Sequence, residues 1–260
     1  MTHIDKLNNR WASLLVDAVN KKGLISSAYS AFHNYSLGNQ ILAYGQCAER
    51  DIDISPINTY NGWKNLGRQV KKGAKAIELC MPVTRKSKKN NEAEEAENEQ
   101  IFKCFLFRKN WFLMSDTEGE KIEPPTLPDF DILKAMSELN IKQIDFAHPN
   151  GNISGYAMDR RIAVSPLAPL PHKTRFHEMA HILLGHTAEA KQVDSIRTPK
   201  NIQEVEAESV AYLLCSVFDL EGLEFSRGYI QGWLETDAIP EKSAQKIFAA
   251  ANSILKAGQL

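Results

Sequence analysis

The sequence predicts an α+β protein in two parts: an N-terminal α/β segment and a small C-terminal domain organised around two chemically specialised helices. Three observations lead there. His177-Glu178-Met179-Ala180-His181 stands in a helical run, and a second such run carries Glu204 and Glu208 four residues apart. Two β-favouring runs, 76–83 and 101–114, sit among helical periods in the first half. Pro124, Pro125 and Pro128 interrupt the chain, which sets the expected domains at 1–123 and 124–260.

The elements follow in order. Ile4, Leu7, Trp11, Leu14, Leu15, Ala18 and Val19 recur at helical spacing, with Gly23 as a stop. A second helix runs from Ser36 to Ala48, with Leu37, Ile41, Tyr44 and Ala48 on its inner stripe. Residues 58–63 open a third, short helix, and Lys72-Gly73 is a turn. Residues 87–100, a basic cluster followed by alternating glutamates, cannot build a core and read as a flexible hairpin loop between the two strands. Past the prolines come a helix over 131–140 and strands over 141–146 and 155–164. The histidine helix spans about 173–185, preceded by Pro169 and Pro171, capped by Thr174 and ended by Gly185. The glutamate helix covers about 203–215. Helices over 226–234 and 240–256 complete the chain.

With 260 residues and a net charge of −1, no global field draws the protein to nucleic acid, so any basic surface is local. The four cysteines, Cys47, Cys80, Cys104 and Cys215, form no C-x-x-C pair and read as buried thiols of a reducing compartment. The N-terminus has no signal-peptide pattern, and no apolar run approaches about 18 residues. The expectation is a cytoplasmic protein without a membrane span.

H-E-x-x-H is the helical zinc motif of metallopeptidases. Two histidines four apart share a helix face and can ligate one ion. The glutamate between them is placed to accept a proton from water activated at that ion. Phe176, Met179, Ala180 and Leu183 form the opposite, core face. A third ligand is required. The spacing after His181 excludes a third histidine at the metzincin position. Glu204 and Glu208 lie on an apolar-flanked stripe, where an unpartnered carboxylate pair is costly to bury. The expected site is therefore one Zn²⁺ per chain held by His177, His181 and Glu204. Glu178 is the general base, and Glu208 braces one histidine through its other ring nitrogen. Tyr212, Tyr156 and His186 are candidate donors to a developing oxyanion. The ordinary alternative is surface histidines beside a solvated glutamate face, with His186 a helix-end residue.

In the first half, Lys64, Arg68, Lys71, Lys72 and Lys75 fall within twelve positions that hold no acidic residue, and Tyr60 and Trp63 directly precede this stretch. Basic groups neutralise phosphates and aromatic faces stack unpaired bases, a mixture suited to single strands. A solvated basic helix with one core tryptophan is the plainer reading of the same residues.

Glu-x-x-Ala-Glu after an H-E-x-x-H helix resembles the gluzincin arrangement of ImmA/IrrE-like peptidases and of ArdC-type antirestriction proteins. Tyr35-Ser36-Leu37-Gly38-Asn39-Gln40 resembles a Y-x-G-x-N-type helix of the ArdC N-terminal domain. Residues 58–64, 67–73 and 116–119 resemble its later blocks, in family order. The resemblance implies a single-stranded-DNA-binding domain fused to a zincin-like metallopeptidase domain. It adds Tyr35 and Asn39 to the expected DNA-binding residues, an unidentified protein as substrate, and Ile162-Ala163-Val164 as an edge strand receiving substrate backbone. Ile182-Leu183-Leu184-Gly185-His186 departs from the Trp-Thr-Gly-His of plasmid relatives. Two other functions fit the same pattern: a non-catalytic protein that shields single strands, and a peptidase that cleaves a repressor.

Overall fold

A computed structural model describes residues 10–86, 101–148, 152–187 and 198–260. The expected loop at 87–100 lies outside the described residues, as do the first nine positions. Helices and strands occur in both halves, and the protein is α+β. Two compact units emerge, one of residues 1–41 with 126–260 and one of residues 42–125. The expected division at 1–123 and 124–260 differs from this grouping: the second unit ends within two residues of it, while residues 10–41 group with the C-terminal helices.

The first unit opens with α1 (Arg10–Asn20), α2 (Leu24–Phe32) and the start of α3 (Leu37–Glu49). Helix α2 escaped the sequence reading. Gly23 does end α1, but the chain re-enters a helix at Leu24, burying Leu24, Ile25, Ala28, Tyr29 and Phe32. The unit continues with α5 (Ile132–Glu138), β6 (Lys142–Gln143), β7 (Gly155–Met158), β8 (Arg161–Val164), α6 (Pro171–Leu183), α7 (Lys200–Val217), α8 (Leu223–Thr236) and α9 (Glu241–Gly258). Leu15, Ala18 and Val19 of α1 are buried, and α1 packs on α8 and α9 while α2 packs on α7. The Glu241 carboxylate accepts from the Trp11 and Ala12 amides at 3.1 and 3.0 Å. It thereby satisfies orphan N–H groups where the helix dipole favours a negative charge. This burial and capping, set by contacts between distant parts of the sequence, fix the assignment of residues 10–41.

The strand expected over 155–164 is a hairpin. Asp159, at φ 54, sits in the turn, and Gly155↔Val164 through Met158↔Arg161 pair antiparallel. The sheet order is β6-β8-β7, with β6 parallel to β8. Ile162-Ala163-Val164 is thus the central strand, which corrects its expected edge position: hydrogen bonds to both neighbours occupy it. Helix α6 packs on β7 and β8 and lies against α7, whose residues 205–217 are continuously buried.

The second unit holds the end of α3, β1 (Ile57–Thr59), α4 (Tyr60–Asn65), β2 (Arg68–Val70), β3 (Ile77–Lys86), β4 (Ile101–Leu113), a 3₁₀ turn (Met114–Asp116) and β5 (Thr117–Gly119). One antiparallel sheet runs β1-β4-β3, and β2 pairs with β5. Thr59 caps α4 by accepting from the Gly62 amide. Gln46 of α3 donates to Glu78 O at 2.8 Å and accepts from Glu78 N at 2.9 Å, so its amide side chain continues the hydrogen bonding of β3. Cys47 and Ala43, rather than Ala48, complete the buried face of α3 beside Leu37 and Ile41.

Candidate metal centre

Helix α6 begins one turn earlier than Thr174 suggests. Pro171 occupies its first turn, where no amide hydrogen is needed, and the Thr174 amide donates to Leu170 O. The helix buries Phe176, Glu178, Met179, Ala180 and Ile182, so Ile182 takes the core position expected of Leu183. His177 and His181 turn toward α7, with side chains 20% and 13% exposed.

Three potential ligand atoms converge. His177 Nε2 and His181 Nε2 are 3.1 Å apart, and Glu204 Oε2 lies 3.5 and 3.7 Å from them. A tetrahedral ion with bonds of about 2.0–2.1 Å separates its ligand atoms by about 3.3 Å. The triangle brackets that spacing, and its two imidazoles and one carboxylate are the donor types a zinc site uses. Among the described residues this is the one group of three such side chains close enough to share an ion.

The shell behind the triangle is equally defined. His177 Nδ1 is 3.1 Å from Glu208 Oε2, and Glu208 Oε1 accepts from Lys173 Nζ at 2.7 Å. Burial would raise the Glu208 carboxyl, but hydrogen bonds from His177, Lys173 and Ser226 hold it down at about 2. Burial opposes a charge on His177, yet the Glu204 and Glu208 carboxylates outweigh it and lift this imidazole to about 9. His181 moves the other way, to about 4, through burial and the neighbouring His177 charge. Glu178 is buried and raised to about 7, first by burial and then by Glu204 against the pull of His177. Gly155 of β7 backs Glu178 directly: a Cβ there would stand 3.2 Å from Glu178 Cγ and 2.9 Å from Ala163 O.

None of the three candidate oxyanion donors is among the side chains that wall the cleft beside His177 and Glu204. Tyr212 is 1% exposed, and its hydroxyl contacts Val19 O and the Arg227 guanidinium, so it is a core residue. His186 sits behind His181, on Nδ1 rather than Nε2. Tyr156 packs among Phe146 and His148. The phenol that does line the cleft is Tyr229 of α8. An open cleft of about 390 Å³ is walled by Lys173, His177, Glu204, Glu208, Phe225 and Tyr229. Phe225 and Tyr229 are one helical turn apart and both exposed. A larger groove of about 490 Å³, lined by Tyr29, Phe130, Phe176 and Phe218 among others, contains none of the three converging side chains.

The expected DNA-binding residues divide. Tyr35 and Asn39 belong to the first unit, and burial pushes the half-buried Tyr35 phenol up to about 12. In the second unit Lys64, Lys71, Lys72 and Lys75 are exposed, as is Tyr60, whose hydroxyl accepts from Gln69. Two residues are corrected. Trp63 is 2% exposed and donates its indole hydrogen to Phe112 O at 2.8 Å, so its face is unavailable for stacking. Arg68 clamps β5, donating to Thr117 Oγ1, Thr117 O and Glu120 O, so it holds the β2-β5 ribbon together. Exposed Phe105 on β4 was not singled out, because its strand reads simply as apolar. Cys47, Cys80 and Cys215 are buried and form no disulfide, and no described helix is long and apolar enough to cross a membrane.

Comparison with known proteins gives a consistent result. Residues 2–109 match the N-terminal domain of anti-restriction factor ArdC. The metal-free crystal structure of the antirestriction ArdC protein from the R388 plasmid is 20% identical, with 96% of this chain and 94% of that one covered and a TM-score of 0.55. Its Mn(II)-bound structure is 17% identical, with 99% and 98% covered and the same TM-score. Among curated proteins no relative matches. The chain thus carries a region similar to the N-terminal domain of anti-restriction factor ArdC, and it shares the ArdC fold over nearly its whole length.

Proposed function

We propose that this chain is a single-stranded-DNA-binding zinc metallopeptidase of the antirestriction type. The observation that carries the peptidase half is the convergence of His177, His181 and Glu204 from two helices, with Glu178 buried beside them. These three residues would hold zinc, which would supply a Lewis acid able to polarise a carbonyl and acidify water. Glu178, held near neutrality, takes the proton of the attacking water and returns it to the leaving amine. Glu208, fixed by Lys173, accepts the Nδ1 hydrogen of His177 and leaves Nε2 free to ligate. Tyr229 faces the same cleft and is the group suited to donate a hydrogen bond to the carbonyl oxygen as it gains charge. Phe225, one turn away, offers an apolar surface to a substrate side chain.

The DNA-binding half is supported by the family match and by four exposed lysines with Tyr60 in the second unit. Phosphate contacts from the lysines and stacking on exposed aromatic faces would hold a single strand. Glu178→Gln tests the whole reading. Hydrolysis of a mixed library of quenched fluorescent peptides is lost, while zinc content and binding of a labelled oligothymidine stay at the parent level. Hydrolysis unchanged by that substitution would remove Glu178 and the mechanism together. Oligothymidine affinity that is absent or insensitive to salt would remove the DNA half.

A further inference from the structure

We propose that Glu206 and His186 form a buried relay that holds His181 in the tautomer a metal ion requires, and that Glu206 is therefore a positioning residue of the centre. The inference rests on the metal-centre reading above. His186 follows Gly185, whose φ of 77 turns the chain out of α6, and the His186 amide returns to His181 O at 2.9 Å. This closing turn brings the His186 ring back against the helix it has just left. His186 Nδ1 then lies 2.9 Å from His181 Nδ1, and His186 Nε2 lies 2.9 Å from Glu206 Oε2. The His186 and Glu206 side chains are 5% and 1% exposed, so neither relies on solvent.

Hydrogen-bond direction decides the rest. An ionised carboxylate only accepts, so His186 Nε2 carries its hydrogen. A ring that holds its one hydrogen on Nε2 accepts at Nδ1. His181 Nδ1 must be the donor, which leaves the His181 Nε2 lone pair directed at His177 Nε2 and Glu204 Oε2. Each of the two histidines thus has a carboxylate behind it. Glu208 reaches His177 directly, and Glu206 reaches His181 through an imidazole.

The test titrates the full-length metal-free chain with Zn(II) and with Mn(II). Glu206→Leu and His186→Phe bind each ion about 10–100-fold more weakly than the parent. His186→Gln restores binding to within a few-fold, because its amide oxygen accepts from His181 Nδ1 while its amide nitrogen donates to Glu206. A merely structural role predicts no such difference between the two position-186 variants at equal thermal stability. Nitrogen-15 spectra of the metal-free parent at neutral pH give an independent reading, with His181 protonated at Nδ1 and bare at Nε2. Variants binding within twofold of the parent, or a His181 protonated at Nε2, overturn the relay. A parent chain that binds neither ion overturns the metal-centre reading as well, so the two failures are distinct.

Discussion

Proton competition should dominate metal binding at this site. In the metal-free protein His177 titrates at about 9, because the Glu204 and Glu208 carboxylates outweigh burial. An ion can bind Nε2 only after that proton leaves. At pH 7 the deficit is about two units, which costs about 2.7 kcal/mol, or about a hundredfold in apparent affinity. His181 adds nothing above pH 5, since it is already neutral there. The sign is definite: affinity rises with pH and levels off above about 9. Mn(II) titrations followed by electron paramagnetic resonance at pH 6.5, 7.5 and 8.5 should show the dissociation constant falling about tenfold per unit. Calorimetry in buffers of different ionisation enthalpy should show one proton released per ion. An affinity that stays constant across this range refutes the claim that His177 holds a proton in the metal-free site.

Glu208→Gln should weaken metal binding about 10–100-fold in direct titration, since His177 loses the carboxylate that orients it. The same residue has its folded value near 2, below the ordinary carboxylate range, so its stabilisation is present above about pH 4.5 and fades as pH falls toward 2. Melting temperatures of the parent should therefore decline more steeply in that interval than those of Glu208→Gln. Gly155→Ala should lower stability by about 1–3 kcal/mol, because the new Cβ meets Thr174 Cγ2 at 2.6 Å and the Ala163 carbonyl at 2.9 Å. Thermal unfolding checks it, and an unchanged melting temperature would mean that the β7–α6 contact is looser than described. Replacing Lys64, Lys71, Lys72 and Lys75 singly by alanine should make the salt dependence of oligothymidine binding shallower, by about 0.7 in log–log slope for each phosphate left without its lysine, and should not alter the melting temperature. Arg68→Ala should instead lower that temperature, because its bonds to Thr117 and Glu120 disappear.

Local chemistry was legible in the chain itself. The i, i+4 spacing of His177 with His181, and of Glu204 with Glu208, reports side chains on common helix faces whatever the rest of the molecule does. Helix α9, the turn at Lys72-Gly73, the strands on either side of residues 87–100 and the proline break were likewise local signals. Partners distant in sequence were not legible, because periodicity reports a face and never what covers it. Trp63 and Arg68 carry the composition of a nucleic-acid surface, yet hydrogen bonds to Phe112, Thr117 and Glu120, about 50 residues away, commit them to structure. Tyr212 stands out in the sequence as a candidate donor and Tyr229 does not, and only the packing of α7 and α8 puts the first in the core and the second in the cleft. Residues 10–41 belong with the C-terminal helices through burial against α7, α8 and α9 and the capping of α1 by Glu241. The pairing of His186 with Glu206 depends on a helix-ending turn meeting a neighbouring helix. Spacing along each helix thus picked out the candidate ligands, and the meeting of separate helices decided how each of these side chains is held.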